Sequence, residues 1–429
     1  MLGIVTGLVL LMFLAYRGYS IIWVAPLAAL VVALTGELPL LEAYRDTYMG
    51  GFVAFTKTWF PVFMLGAIFG HLMEYTGSAR SIAGWLTGIL GAKRAILGVI
   101  LGCAVLTYGG ISLFVVVFAM YPLALALFRN ANLSRKLIPG CIALGSFTFT
   151  MTALPGTPQI QNLIPMQYFK TTPTAAPMMG LTAAGFMFGL GYAYMAWRER
   201  RLTARGEVFV EPEKSREESE ASRGELPNPL VSALPLLCVV LTLNLFKWDI
   251  VVALLSGIAL AMLANLRRYR GFTKTINTGA KDSVLAIINT SAAVGFGSVV
   301  RAVPGFQTLT HWVMGIQGSP LISEAVAVNV LAGATGSASG GMGIALEALG
   351  DKYYQMALET GISPEAFHRI ASLASGGLDT LPHNGAVLTL LIVTGLTHKE
   401  SYVDIFVTSL LLPVLSSIPA ILLANLGVY

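Results

Sequence analysis

Charge is scarce in this chain. Of 429 residues only 11% are Asp, Glu, Lys or Arg, while 55% are hydrophobic. A soluble globular chain carries about 25% charged residues, so a water-soluble domain is excluded. Cysteine is nearly absent: Cys103, Cys141 and Cys238 lie in apolar stretches, with neither zinc spacing nor a disulfide framework. Packing is the role that suits them. The alternating pattern of an outer-membrane barrel, in segments of about 10 residues, is missing. So are a nucleophile–base pair and a cluster of metal ligands, which argues against an intramembrane enzyme and against a resident metal or cofactor. "HLME" (71–74) has no second histidine at helical spacing. The opening "MLGIVTGLVLLMFLAYRGYS" has no basic region before its apolar run and no small-residue cleavage site. It reads as a first membrane helix rather than a signal peptide.

What the chain has is a succession of apolar runs of about 17–25 residues, each long enough to cross a bilayer as a helix. The fold expected is therefore an all-α integral membrane protein. Only one long hydrophilic segment occurs, Arg198 to Pro229, rich in charge and without apolar periodicity. It reads as a mobile linker (198–229) between two halves, 1–197 and 230–429.

The halves resemble each other in register. "AIFG" (67–70) matches "VGFG" (294–297), "TYGGIS" (107–112) falls on "ATGSAS" (334–339), and Leu154-Pro155 matches Leu381-Pro382, each at an offset of 227. One offset for three landmarks points to an internal repeat. Each half would hold three spans, a re-entrant hairpin, a broken span and a final span, giving about ten transmembrane helices. With both chain ends outside, twenty of the 27 Lys and Arg residues fall on the cytoplasmic side. The other seven, Arg45, Lys57, Lys170, Lys247, Arg301, Lys352 and Arg369, fall outside. That bias obeys the positive-inside rule. An odd number of crossings per half makes the repeats inverted, as in secondary transporters. The net charge of +5 is then a topology signal rather than a nucleic-acid footprint.

Four segments are too rich in glycine, proline and small polar residues to be ordinary spans. "TYGGIS" (107–112) and "GATGSASGGMG" (333–343) sit between short apolar arms and read as hairpin tips. "SFTFTMTALPGTPQIQN" (146–162) and "SGGLDTLPHNG" (375–385) contain Pro155, Pro158 and Pro382, which break helices. Each break leaves amide N–H groups unpaired at the start of a half-helix, where anions bind. Four such ends near the midplane would hold a carboxylate without an arginine, and no Lys or Arg occurs in these segments.

At these residues the chain resembles the gluconate permease (GntP) family, within the wider superfamily of inverted-repeat carboxylate carriers. The resemblance covers most of the chain. It is carried by "GAIFGHLMEYTGSARSIA" (66–83), "GATGSASGGMGIAL" (333–346) and "GGLDTLPHNGAVLTLLIVTGLTHKESYVDIF" (376–406). The chain departs from the family pattern at His71, where a lysine is expected. The resemblance implies proton-coupled symport of small hydroxy-monocarboxylates such as gluconate or 3-hydroxybutyrate. It also implies a homodimer in the cell (inner) membrane and a substrate site where hairpins meet broken helices.

Asp379 is the one acid inside a break. A carboxyl at membrane depth is a functional hypothesis by default, and an acid there can take a proton from one side and release it to the other. His383, four residues on, titrates near neutrality in its ordinary state. It is a candidate for proton coupling, for substrate contact or for orienting its neighbours. Thr152 stands at the repeat position of Asp379 and cannot titrate. Substrate hydroxyls need neutral partners. The candidates in the first half are Thr107, Gly109, Gly110, Ser112, Thr148, Thr150, Thr152, Gly156, Thr157, Gln159 and Asn162. Those in the second are Gly336, Ser337, Ser339, Gly340, Thr380, His383 and Asn384. Two other readings share these features. Carbonyls freed at the breaks suit sodium coupling, and half-helix dipoles alone suit an anion channel.

Overall fold

The computed structural model describes residues 2–17, 19–91, 94–212, 226–308, 319–382 and 384–429, and all regular structure among them is helical. In the first half the helices are α1 (Leu2–Tyr16), α2 (Ile21–Thr35), α3 (Met49–Tyr75), α4 (Ser78–Leu90), α5 (Ala95–Tyr108) and α6 (Leu113–Asn130). They continue as α7 (Ile138–Ser146), α8 (Ile160–Phe169) and α9 (Pro177–Ala204). The second half begins with α10 (Pro229–Asn244), α11 (Ile250–Ala264), α12 (Phe272–Ala302), α13 (Pro320–Thr335) and α14 (Ala338–Thr360). It ends with α15 (Pro364–Ser375), α16 (Gly385–Thr394), α17 (His398–Phe406) and α18 (Leu412–Asn425). Local chemistry sets the limits. Asn228 and Asp249 accept backbone N–H bonds at the starts of α10 and α11, and Gly361 and Gly395 end α14 and α16 in the left-handed conformation.

Three rods are long and apolar enough to cross a membrane: Leu40–Tyr75, Leu266–Ala302 and His398–Asn425. The helices α1, α2, α10 and α11 have 15 or 16 residues, about 22–24 Å at 1.5 Å per residue. They are shorter than the spans expected; Ser20, Asn228 and Asp249 cap the starts of α2, α10 and α11, and Gly36 ends α2.

Helix limits recur through the chain. α1 and α10 begin 227 residues apart, at Leu2 and Pro229, and α5 and α13 end 227 apart, at Tyr108 and Thr335. The packing recurs with partners exchanged: α2 lies on α12 and α11 on α3, while α8 lies on α14 and α16 on α6. The long helices α3 and α12 run antiparallel. Tyr48 reaches Gly295, Thr56 Oγ1 donates to Ser291 Oγ at 2.8 Å, and Ile68 reaches Gly279, so numbers rise along one as they fall along the other. The rod α17–α18 is likewise antiparallel to α9, with Arg198 on Asp404 at 2.8 Å and Met178 N on Tyr429 O at 3.1 Å.

One exchange is unequal. α12 lies along α14, with Arg301 on Asp351 at 2.7 Å and Ser298 near Glu347 at 3.5 Å, whereas α3 meets α6 only briefly.

Three features differ from the sequence reading. The linker is helical at its start, since α9 runs to Ala204, and Glu207 and Glu211 then pair with Lys136 and Arg129. Its residues 213–225 lie outside the described residues. α4 is a separate amphipathic helix before the first hairpin. The arm α14 has 23 residues rather than a short apolar stretch, because Glu347, Asp351 and Lys352 extend it past its apolar part.

Close approach explains two glycines. A Cβ on Gly279 would stand 2.7 Å from Ile68 Cα, and one on Gly341 would run into the backbone of Ala332, where the arms of the second hairpin touch. Gly279→Ala should lower the thermal midpoint of detergent-solubilised protein, by the equivalent of about 1–3 kcal/mol. Gly66→Ala, on α3 with open space at its Cβ, should leave the midpoint unchanged or raise it.

Candidate functional site

Each hairpin tip rests on the break of its own half. In the first half, Gly110 turns the chain with φ of 96°, and its α-carbon faces Pro158. Gln159 Nε2 donates to Thr107 O (2.7 Å) and Ile111 O (3.2 Å), and Tyr108 Oη donates to Pro155 O (3.0 Å). In the second half, Asn384 Nδ2 donates to Gly336 O at 2.7 Å, and Leu378 N donates to Asn329 Oδ1 at 3.3 Å. Gly333 packs on Leu378 and Leu381.

The two breaks also touch each other. Ser372 Oγ donates to Thr152 O at 2.7 Å, and the Thr152 methyl stands where a Cβ on Gly376 would be. Beside this contact lies a buried polar knot. Arg369 donates through Nη1 to Asn162 Oδ1 (3.0 Å) and through Nε and Nη2 to Ala175 O (3.2 and 2.6 Å). His368 Nε2 also faces Asn162 Oδ1 (3.2 Å), and Thr171 Oγ1 faces its Nδ1 (2.6 Å). The Asn162 amide in turn donates to Thr157 O and Pro173 O. Asn162 Oδ1 can only accept, so Nε2 of His368 is the donor in that pair.

Many predicted contacts hold the backbone. The hydroxyls of Thr148, Thr150 and Thr152 donate to Leu144 O, Gly145 O and Thr148 O. Thr380 Oγ1 donates to Ser409 O, and Ser339 pairs with Thr290 at 3.4 Å. Gly109 packs against Leu236, and Gly156 O accepts from Asn244. His383 lies outside the described residues.

The helix starts divide by half. Ser337 accepts from Gly340 N at the start of α14, and Asn384 accepts from Ala386 N and Val387 N at the start of α16. The starts of α6, at Ser112, and α8, at Gln159, have no side-chain cap. Of the four ends expected to attract an anion, the two in the second half are thus occupied by their own side chains. Buried side-chain atoms without a partner include Thr107 Oγ1 and Thr157 Oγ1 near the two uncapped starts, and Asp379 Oδ1 in the second break.

Two residues escaped the sequence reading. Arg369, counted there as an outer-surface charge, is fully buried and makes no ion pair among the described residues. Arg369 lies outside the four segments in sequence but against the first break in space, beside Gly180 and its neighbour Pro155. The segment "PEAFHRIAS" (364–372) looks like an amphipathic surface helix, and the packing of α8, α13 and α14 on it, with Thr171 and Ala175, buries its polar residues. Glu324, in α13, is fully buried, with both carboxyl oxygens lacking a partner. Its signal was an acid in an apolar hairpin arm. Among the described residues no three His, Cys, Asp or Glu side chains group as metal ligands would. A cavity of about 510 Å³ lined by Arg270, Thr273, Lys274, Asn277, Thr278 and Lys281 includes none of the candidates.

Helical hairpins seated on interrupted helices, inside a multi-pass apolar bundle, define a membrane transport protein. The profile of the GntP family permeases matches residues 1–245. The chain is 43% identical over 450 residues to the "Uncharacterized transporter YxjC" of Bacillus subtilis (strain 168), covering 95% of each. It is 26% identical over 345 residues to an "Uncharacterized transporter" of Haemophilus influenzae, covering 78% of this chain and 77% of that one. This chain belongs to the GntP permease family and is a transporter.

The Gln159 clamp generates a test. Gln159→Leu keeps the volume but removes the donor to Ile111 O, at about 1–3 kcal/mol if that group is left unsatisfied, and leaves Thr107 O with Gly110 N alone. Hydrogen exchange should rise at 107–112 in the variant, with α3 and α12 unchanged. Unaltered exchange at the tip would show that the clamp does not hold it.

Proposed function

We propose that this transporter carries a small hydroxy-monocarboxylate, of the gluconate or 3-hydroxybutyrate class, in symport with protons by alternating access. The observation that carries this reading is Asp379, 5% exposed, with a carboxyl oxygen that has no partner among the described residues, where the second hairpin meets its broken helix. Ionised carboxyls at membrane depth are costly and mark proton or ion paths. The substrate carboxylate is assigned to the uncapped starts of α6 and α8. Backbone N–H groups and the helix dipole favour an anion there, and the hydroxyls of Thr107 and Thr157 lie nearby in sequence. Arg369, buried against the first break, adds positive potential. The first half thus receives the anion and the second carries the proton.

An inverted repeat is supported by the antiparallel course of α3 against α12 and by the exchanged packing of α2 and α11. The cytoplasmic assignment is supported by contacts that gather its segments at one end. Arg268 reaches Thr76 O, Ser81 reaches Pro227 O, and Arg135 reaches Thr394 O. With Arg369 buried, the basic count on this reading is twenty inside against six outside. We place the protein in the cell membrane as a homodimer, with both chain ends outside.

Proteoliposomes with an inward proton gradient and labelled gluconate or 3-hydroxybutyrate test the reading. Wild type should concentrate substrate. Asp379→Asn should abolish concentration by at least tenfold, the loss about 1.4 kcal/mol of coupling produces, while exchange of internal for external substrate persists. Accumulation that follows a sodium gradient at fixed pH would instead mean sodium coupling. Flux that never exceeds equilibrium would mean a channel.

A further inference from the structure

Asp379 is not the only carboxyl isolated in this bundle. Glu324 lies about one turn into α13, the first arm of the second hairpin, and is 0% exposed. Neither of its oxygens has a partner among the described residues. We propose that Glu324 is a second proton-binding carboxyl of the transport cycle, placed along the hairpin arm between the outer end of α13 and Asp379. The proposal rests on the proton-coupled reading above and adds to it the residue that receives the proton before Asp379.

The placement follows from α13 itself. Asn329, on the same helix, accepts from Leu378 N and so anchors the turn that contains Asp379. Glu324 precedes Asn329 by five residues, about 7.5 Å of helix rise, toward the end of α13 that the basic-residue bias places outside. Two isolated carboxyls therefore stand in succession along one arm.

Among the described residues, no counter-charge faces Glu324. On α14, Tyr353 Oη is taken by the neighbouring Ser323 at 3.1 Å. Also on α14, Glu347 faces Tyr168 and Ser298, Asp351 faces Arg301, and Lys352 and Glu359 are exposed. On α15, Arg369 and His368 are held by Asn162, Ala175 and Thr171, and Glu365 accepts from Ala176 N. The turn 378–380 brings Asp379. The helices α1 and α18, also packed on α13, carry no charged residue. An ionised carboxylate so placed lacks both water and a donor, which costs several kcal/mol, so the position calls for a bound proton. Protonation forms a carboxyl O–H, and deprotonation returns the proton to water or to the next acceptor toward Asp379.

Glu324→Gln preserves shape and removes the titrating group; Glu324→Asp restores one. Infrared difference spectra of wild type in lipid, recorded across a pH titration, should contain a protonated-carboxyl band that Glu324→Gln lacks and Asp379→Asn retains. In proteoliposomes with labelled gluconate or 3-hydroxybutyrate, Glu324→Gln should cut proton-driven uptake severalfold and flatten its dependence on external pH. Exchange at symmetrical pH should persist, and Glu324→Asp should recover part of the pH dependence. A wild-type spectrum without that band, or a Glu324→Gln protein with the wild-type pH profile, would overturn the proposal. Failure of the proton-coupled reading is separately visible: wild type itself would then ignore the proton gradient, whatever the infrared band shows. If the band is present while uptake follows sodium, Glu324 binds a proton outside the transport cycle and the proposal fails in that form.

Discussion

Inside a bilayer a broken helix has no water to satisfy the backbone groups it frees, and each one left alone costs several kcal/mol. Most of the polar chemistry in this bundle answers that constraint. Asn384 closes both its own helix start and the facing hairpin carbonyl of Gly336. Gln159 does the corresponding work for Thr107 and Ile111. Asn162 and Arg369 spend their donors on carbonyls of the segment 157–175. Against this background, the buried side-chain atoms without a partner among the described residues stand out, and most are hydroxyls and carboxyls.

The division between halves follows from side-chain caps. A serine or asparagine that accepts the first N–H groups of a helix occupies the place an anion would take. Ser337 and Asn384 do this in the second half, and nothing comparable occurs at Ser112 and Gln159 in the first. Among the described residues, the carboxyls with unpartnered buried oxygens, Glu324, Asp379 and Asp404, are all in the second half. On the proposed reading a duplicated framework serves two ions of opposite sign because capping differs between the copies.

Much of the fold was legible in the sequence, because the features that encode it are local. Proline and glycine mark the breaks and hairpin tips wherever they occur, and the offset of 227 that aligns Leu154-Pro155 with Leu381-Pro382 also aligns helix limits. The site was legible only in outline. Which hydroxyl is free depends on neighbours that composition does not reveal: Thr150 and Thr157 look equivalent in the sequence, yet one is bound to Gly145 O and the other is unpartnered. Arg369 was misplaced because a single arginine in an amphipathic segment looks like a surface charge, and its burial is created by α8 and the stretch from Ala175 to Gly180, which are remote in the chain.

The unequal exchange noted in the fold has a kinetic consequence. On the proposed repeat the two copies hold different postures: α14 is seated along α12, while α6 stands nearly clear of α3. If the copies traded postures, the same set of contacts would be rebuilt at the other face from homologous parts. The two end states would then differ in free energy only by what the copies do not share. Chief among those differences are Arg301 and Asp351, whose repeat positions hold Glu74 and Ala124. On the proposed reading that exposed ion pair has no counterpart at the other face, and it adds at most about 1 kcal/mol toward the posture seen here.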